Sequence, residues 1–214
     1  MTKESRREFL AHCSALGLSI TGLEQMLEAA CVKTPKQTPG PFYPVPSISK
    51  QQYNDTDLTR KLGKDEVAKG EIIRVKGQVK DEGRRPVKGA VVEVWQEGTS
   101  GRYNHPRDDN RAPLDEDFQF WGRAITGPEG QYEFLTIKPG RYRGRSPHIH
   151  YSIQARNQRP LVTQMYFADE GRENARDGIY RRLSGQGREA VTVGFSKQND
   201  VKVGTFDIVL PRAG

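Results

Sequence analysis

Apolar and polar residues alternate in short bursts along most of the chain. Ile72 to Lys80 alternates and ends in Asp81-Glu82-Gly83, which predicts a strand closed by a turn. Ala90 to Gln96 is the most apolar run, and further strands are predicted over Phe118–Thr126, Gln131–Ile137, His148–Ala155, Leu161–Phe167, Ala190–Phe195 and Val201–Leu210. Glu173 to Leu183 reads as a short helix. Short strands separated by Gly- and Pro-bearing turns predict an all-β domain, an antiparallel β-sandwich. Thr34 to Pro46 is too rich in proline for regular structure, and Gln51 to Gly70 is polar and reads as a loop. Thr99 to Asp117 has no strand pattern and is long for a connection, a length often tied to function.

Residues 1–34 stand apart from this pattern. Ser5-Arg6-Arg7-Glu8-Phe9-Leu10 precedes a small, apolar stretch reaching about Ile20, which resembles a twin-arginine export signal. His12 interrupts that stretch, and Glu24 and Glu28 make its tail amphipathic. The alternative is an uncleaved helix from Lys3 to Ala30. The first reading puts the protein in the periplasm or outside the cell, the second in the cytoplasm. Either way the expected division is a leader or helix over 1–34 and one domain over 35–214.

The composition narrows the chemistry. The net charge is +7, and residues 1–34 are balanced, so the excess belongs to the body. No zinc finger, aromatic RNA-binding motif or lysine-rich run accompanies it, which argues against a nucleic-acid partner. The charge fits solubility and attraction for small anions. No stretch reaches the roughly 20 apolar residues of a membrane span. Cys13 and Cys31 are the two cysteines, so the body offers no thiolate for a metal, a nucleophile or a disulfide. A metal there must use His, Tyr, Asp or Glu.

The chemistry concentrates in Tyr142-Arg143-Gly144-Arg145-Ser146-Pro147-His148-Ile149-His150-Tyr151-Ser152-Ile153. On a strand, His148, His150 and Ser152 share one face, and Ile149, Tyr151 and Ile153 the other. Two imidazoles can then meet one ion. The chain has four histidines, so this spacing is an uneven use of a rare residue, though His-x-His alone is also found on plain edge strands. Gly101-Arg102-Tyr103 and Gly140-Arg141-Tyr142 place two tyrosines in loops that follow strands. A phenolate is a hard oxygen donor suited to Fe(III). Taken alone, each tyrosine reads first as an ordinary half-buried loop aromatic.

Beyond these residues the chain resembles the intradiol ring-cleavage dioxygenases. The matching pieces, in family order over roughly 38–170, are Gly40-Pro41-Phe42-Tyr43-Pro44, Val92-Glu93-Val94-Trp95-Gln96, Gly101-Arg102-Tyr103, Gly122-Arg123, Gly130-Gln131-Tyr132-Glu133-Phe134, Thr136-Ile137-Lys138-Pro139-Gly140, Pro147-His148-Ile149-His150-Tyr151 and Leu161-Val162-Thr163-Gln164-Met165-Tyr166-Phe167. The resemblance implies a transthyretin-like sandwich core and one non-haem Fe(III) ion held by Tyr103, Tyr142, His148 and His150. It implies a catechol and O2 as substrates, cleavage of the ring between adjacent hydroxyls, and a muconate-type diacid as product. Arg145 falls on the arginine that faces the substrate ring and Gln164 on a pocket glutamine. Pro41 lies in a segment bordering the substrate, Tyr142 doubles as the mobile base, and Trp95 packs behind the ligand loop. Some members are homodimers, so a homo-oligomer is an expectation too.

The chain departs from the family pattern in one place. Only six positions separate Tyr142 from His148, and the tryptophan usual beside the arginine is missing. This opens the mouth of the pocket and leaves Tyr132 and Tyr151 as alternative second tyrosines. Two other functions fit parts of the sequence. One is a metal-free sandwich acting as a binding module. The other is an Fe(II) oxygenase using both histidines and a carboxylate, for which Asp169 and Asp177 are candidates.

Overall fold

The computed structural model describes residues 32–45, 55–61 and 63–211. The leader or helix expected over 1–34 lies outside the described residues apart from Val32, Lys33 and Thr34. Thr34 is buried and donates its N–H to the Val209 carbonyl, while its Oγ1 accepts from the Val209 N–H.

The body is mostly β. Its strands are β1 (Ile72–Lys80), β2 (Val91–Trp95), β3 (Trp121–Ile125), β4 (Gln131–Ile137), β5 (His148–Gln154), β6 (Leu161–Phe167), β7 (Thr192–Val193), β8 (Phe195–Gln198), β9 (Val201–Thr205) and β10 (Ile208–Val209). The helices are α1 (Gly171–Asn174) and α2 (Gly185–Val191), with single 3-10 turns at Ala168–Glu170 and Tyr180–Arg182. One five-stranded sheet runs β3-β2-β5-β6-β7. In the other, β1 carries β4 on one edge and both β9 and β10 on the opposite edge, with β8 outside β9.

The sheets are mixed, which corrects the antiparallel expectation. β1 pairs with β9 and β10 in parallel, as does β6 with β7. A hairpin forces antiparallel neighbours, whereas a long crossover permits parallel ones. β7 returns to β6 through a long connection that holds α1, α2 and both 3-10 turns, and so arrives parallel. The helix expected over Glu173–Leu183 is also broken. Asp177 turns its carboxylate onto the Ile179 and Tyr180 N–H groups, ending α1 early. The strand expected over Ala190–Phe195 begins only at Thr192, because Ala190 and Val191 close α2, which Ser184 starts by accepting from the Gly187 N–H.

Alternation builds the core as anticipated. Ile73, Val75 and Val79 of β1, Tyr132 and Phe134 of β4, Val92 and Val94 of β2, and Ile149, Tyr151 and Ile153 of β5 belong to one buried cluster. Burying each such side chain contributes roughly 1.5–3 kcal/mol. β5 lies between β2 and β6 and is buried on both faces until Gln154. Its odd-numbered residues fill the core, and its even-numbered residues are free for another task. Part of the predicted polar loop is also structural. Leu58 is fully buried and bridges the sheet edges, donating to Leu135 O and accepting from the Gln119 N–H.

Candidate active site

The second face of β5 carries the two histidines. His148 and His150 are buried, and their Nε2 atoms lie 3.1 Å apart. His148 Nδ1 lies 2.7 Å from Ser146 O, so it donates there and leaves Nε2 as the lone-pair nitrogen. Register fixes what surrounds them. Trp95 is opposite His150 on β2 and stacks on it at 4.8 Å and 5°. Gln164 is opposite His150 and Tyr166 opposite His148 on β6.

The two loop tyrosines close on this pair. Tyr103 lies 6.4 Å from His150 and Tyr142 6.2 Å from His148, centroid to centroid, and the two phenol rings meet edge-on at 5.4 Å. Backbone packing explains why each tyrosine follows Gly-Arg. A Cβ on Gly101 would sit 2.1 Å from Arg141 O, and one on Gly140 would sit 2.3 Å from Thr99 O. The loops cross where there is no room for side chains, and Gly140 N–H donates to Gly98 O. The 99–117 loop is held by its own polar groups. Asp108 accepts from the Tyr103 and Asn110 N–H groups, and Asn110 donates to Gly101 O. The shortened arm is a tight turn: Arg145 N–H donates to Tyr142 O at 2.8 Å, with Arg143 and Gly144 both at positive φ.

Arg145 is fixed beside the rings. Its Nε donates to Asp177 Oδ2 at 2.7 Å, and its Nη2 to Gln164 Oε1 at 2.5 Å and Tyr166 Oη at 3.2 Å. Gln164 Nε2 donates to the Thr38 carbonyl at 2.9 Å. That ties the 38–42 segment over the site. Phe42 contacts Tyr103, His105 and Tyr142, Gly40 lies against the His150 ring, and exposed Pro41 accepts from Arg107.

Burial sets the charge states. It lowers His148 to about 3, helped by Arg145, and drives His150 well below its ordinary value, helped by His148. Both are neutral imidazoles near neutral pH. Burial also pushes the Tyr103 phenol well above its ordinary range, and Glu97 adds to this. Tyr142 is raised by burial, with Arg145 working against the rise. A buried phenol of this kind becomes a phenolate only beside a compensating cation. Tyr103 Oη has no hydrogen-bond partner of ordinary geometry.

All of the proposed positions except the fallbacks gather in one place. Tyr132 donates to Phe206 O in the core and Tyr151 packs on Phe206, both off the site face. Asp169 pairs with Lys138, and Asp177 is taken up by Arg145, so neither joins the histidines. Among the described residues, no group of three or more His, Cys, Asp or Glu side chains could hold a metal ion. An open groove of about 970 Å³ lined by Gly77, Arg123, Tyr132 and Asp207 contains none of the four candidate ligands. The sequence reading did not single out Glu97 or Tyr166. Glu97 is fully buried two residues beyond Trp95, and burial raises its carboxyl to about 8. Its signal was its parity with Trp95; that of Tyr166 was its place two residues after Gln164.

Comparison with known proteins agrees with this arrangement. A family model named Dioxygenase_C, with the description Dioxygenase, matches residues 43–211. Over 121 residues the chain is 48% identical to the protocatechuate 3,4-dioxygenase beta chain of Burkholderia cepacia, covering 53% of this chain and 52% of that one. It is 29% identical over 184 residues to hydroxyquinol 1,2-dioxygenase of Nocardioides simplex, covering 78% of this chain and 58% of the relative. The chain thus spans about half the length of the curated relatives it matches. The dioxygenase domain of a dioxygenase–carbohydrate-binding protein fusion from Streptomyces sp. SirexAA-E matches with TM-score 0.65 and 30% identity, over 85% of this chain and 100% of that one. A match that takes in both tyrosine loops, the two-histidine strand and the Arg145 network assigns the chain to a family: it belongs to the intradiol ring-cleavage dioxygenases.

Proposed function

We propose that the chain is a non-haem Fe(III) dioxygenase that cleaves a catechol between its adjacent hydroxyls, using O2, to a muconate-type diacid. The observation that carries this is the convergence of two neutral imidazoles and two tyrosines on one buried face beside a fixed arginine. The donor set fits a hard ferric ion: His148 Nε2, His150 Nε2, Tyr103 Oη and Tyr142 Oη would hold it. When bound, the ion would supply the Lewis acidity and electron-accepting power that open a chelated catechol ring to dioxygen.

The chain's own residues supply the rest. Held as a phenolate by the ion, Tyr142 Oη would accept the proton of a substrate hydroxyl; burial raises this phenol and Arg145 works against the rise. Tyr103, wholly buried, stays a fixed ligand. Arg145 opposes negative charge that develops on the ring, at no reorganisation cost because Asp177 and Gln164 already hold it. Trp95 and Phe42 keep water from the rear of the histidines and tyrosines. The positive charge of the chain favours a catechol bearing an acid group. The Burkholderia cepacia relative, named for protocatechuate, supports that substrate class.

The same reading takes the two sheets as a transthyretin-like sandwich, 35–214 as the catalytic domain and 1–34 as an export leader. The central test is a visible spectrum of the iron-loaded protein. A tyrosinate-to-iron band is expected, it should shift when a catechol is added without oxygen, and admission of air should give the ring-opened diacid. A colourless ferric protein refutes the assignment.

A further inference from the structure

We propose that Asp177 is a positioning residue that serves both halves of this site: it aims Arg145 at the substrate and, through Ser146, orients the His148 imidazole. The inference rests on the function proposed above and concerns a residue that no motif singled out for this role.

Asp177 is fully buried, and both its oxygens are doubly engaged. Oδ2 accepts from Arg145 Nε at 2.7 Å and from Ser146 N–H at 3.1 Å. Oδ1 accepts from Ile179 N–H at 2.8 Å and Tyr180 N–H at 3.1 Å. With each oxygen accepting twice, the carboxylate has no lone pair left for a metal, which is why it is not a third ligand. The Ile179 and Tyr180 bonds fix the carboxylate, and its other oxygen dictates the path of Arg145-Ser146.

The next link is Ser146. Asp177 holds its N–H, Asn174 Oδ1 accepts from its Oγ at 2.5 Å, and its carbonyl accepts from His148 Nδ1 at 2.7 Å. Asn174 is itself pinned by donating to Phe167 O at 2.8 Å. The carbonyl that sets the His148 tautomer and ring orientation is therefore immobilised from both sides by the segment after β6. Arg145 receives its second restraint from Gln164 and Tyr166, so two of its three guanidinium nitrogens are committed to protein groups. Partners that orient a ligand histidine matter to metal affinity as well as to activity.

The test is Asp177→Asn, alone and combined with Arg145→Met, in the full chain. Whichever way the amide turns, one of its N–H groups meets a donor, either Arg145 and Ser146 or Ile179 and Tyr180. Three measurements are made: iron affinity by chelator competition, catechol affinity by anaerobic titration of the visible band, and thermal unfolding. Iron affinity should fall roughly 10–100-fold in Asp177→Asn, whether or not Arg145 is present, because that branch runs through Ser146 and His148. Catechol affinity should fall about tenfold with Arg145 present and stay unchanged in the Arg145→Met background. A merely structural role would lower the unfolding temperature, leave iron affinity unchanged, and weaken catechol equally in both backgrounds. Either of those last two results overturns the proposal. If Asp177→Asn does not fold, Asp177→Glu keeps the charge, moves the carboxylate by one methylene and must give the same pattern. A wild-type protein that takes up no iron and binds no catechol overturns the function and this inference together. A wild type that does both, beside an unaltered Asp177→Asn, overturns the inference alone.

Discussion

Gly140→Ala tests whether the crossing of the two loops sets the tyrosine positions. Gly140 is not at positive φ, so the new methyl adds no backbone strain of its own. It would sit 2.3 Å from Thr99 O and 2.8 Å from both the Thr99 carbonyl carbon and Gly101 N, all main-chain atoms that cannot rotate away. Real Cβ atoms essentially never approach closer than 3.0 Å, so the loops must part by at least 0.7 Å, the difference between 3.0 and 2.3 Å. That stretches the 3.1 Å bond from Gly140 N–H to Gly98 O, worth about 1 kcal/mol. Tyr103 and Tyr142 stand two residues beyond the two glycines, so their oxygens shift by a similar amount. A displacement near 1 Å costs about 100-fold in rate when reacting groups must align. The expected result is a folded protein with reduced iron content, a weakened visible band and roughly 100-fold lower turnover. Gly144→Ala is the control. It sits at φ +73 with nothing within 4 Å of the new methyl, so it costs about 1–2 kcal/mol of stability and leaves the band in place. A Gly140→Ala protein with full iron, an unchanged band and wild-type turnover refutes the reasoning.

His148→Ala and His150→Ala should each lose iron by more than the 10–100-fold typical of outer partners, which metal analysis of the purified proteins reads directly; full iron content in either removes it from the ligand set. Tyr103→Phe should lose most of the iron with the visible band, while Tyr142→Phe should keep iron and bind catechol but turn over slowly in single-turnover kinetics; wild-type turnover in Tyr142→Phe excludes it as the base. Glu170 is raised by burial, but Lys138 and Arg141 outweigh this and hold its carboxyl below the usual range. Its contribution is therefore complete above its unfolded value near pH 4.5 and is lost as the pH falls through the lower folded value. Glu170→Gln should flatten the acid limb of stability in denaturant unfolding below about pH 5, and an identical limb in both proteins counts against the pairing. Replacing Arg6 and Arg7 together by lysine should strand the folded, active protein in the cytoplasm on cell fractionation; an unchanged distribution favours the uncleaved helix.

The sequence by itself determined the local patterns. Period-two alternation placed β1 to the residue, because a strand with one buried face must alternate, and short runs between turns placed β4 and β6. The same parity put His148 and His150 on one side and Ile149 and Ile153 on the other. The repeated Gly-Arg-Tyr marked both tyrosines, since a crossing without room for Cβ admits only glycine. What only the tertiary structure decided depends on partners distant in the chain. Parallel pairing of β1 with β9 and β10 joins segments more than 120 residues apart, and no local pattern encodes it. The choice of Tyr142 over Tyr132 as the tyrosine beside the histidines turned on which face each side chain finds, site or core. In the sequence Asp177 stands in a helical stretch and is a candidate only as a metal carboxylate, a role that its pairing with Arg145 removes. Its part in the site exists only because the chain after β6 folds back over Arg145 and Ser146 and, by filling all four acceptor positions of one buried carboxylate, breaks the helix that its neighbours would otherwise have formed.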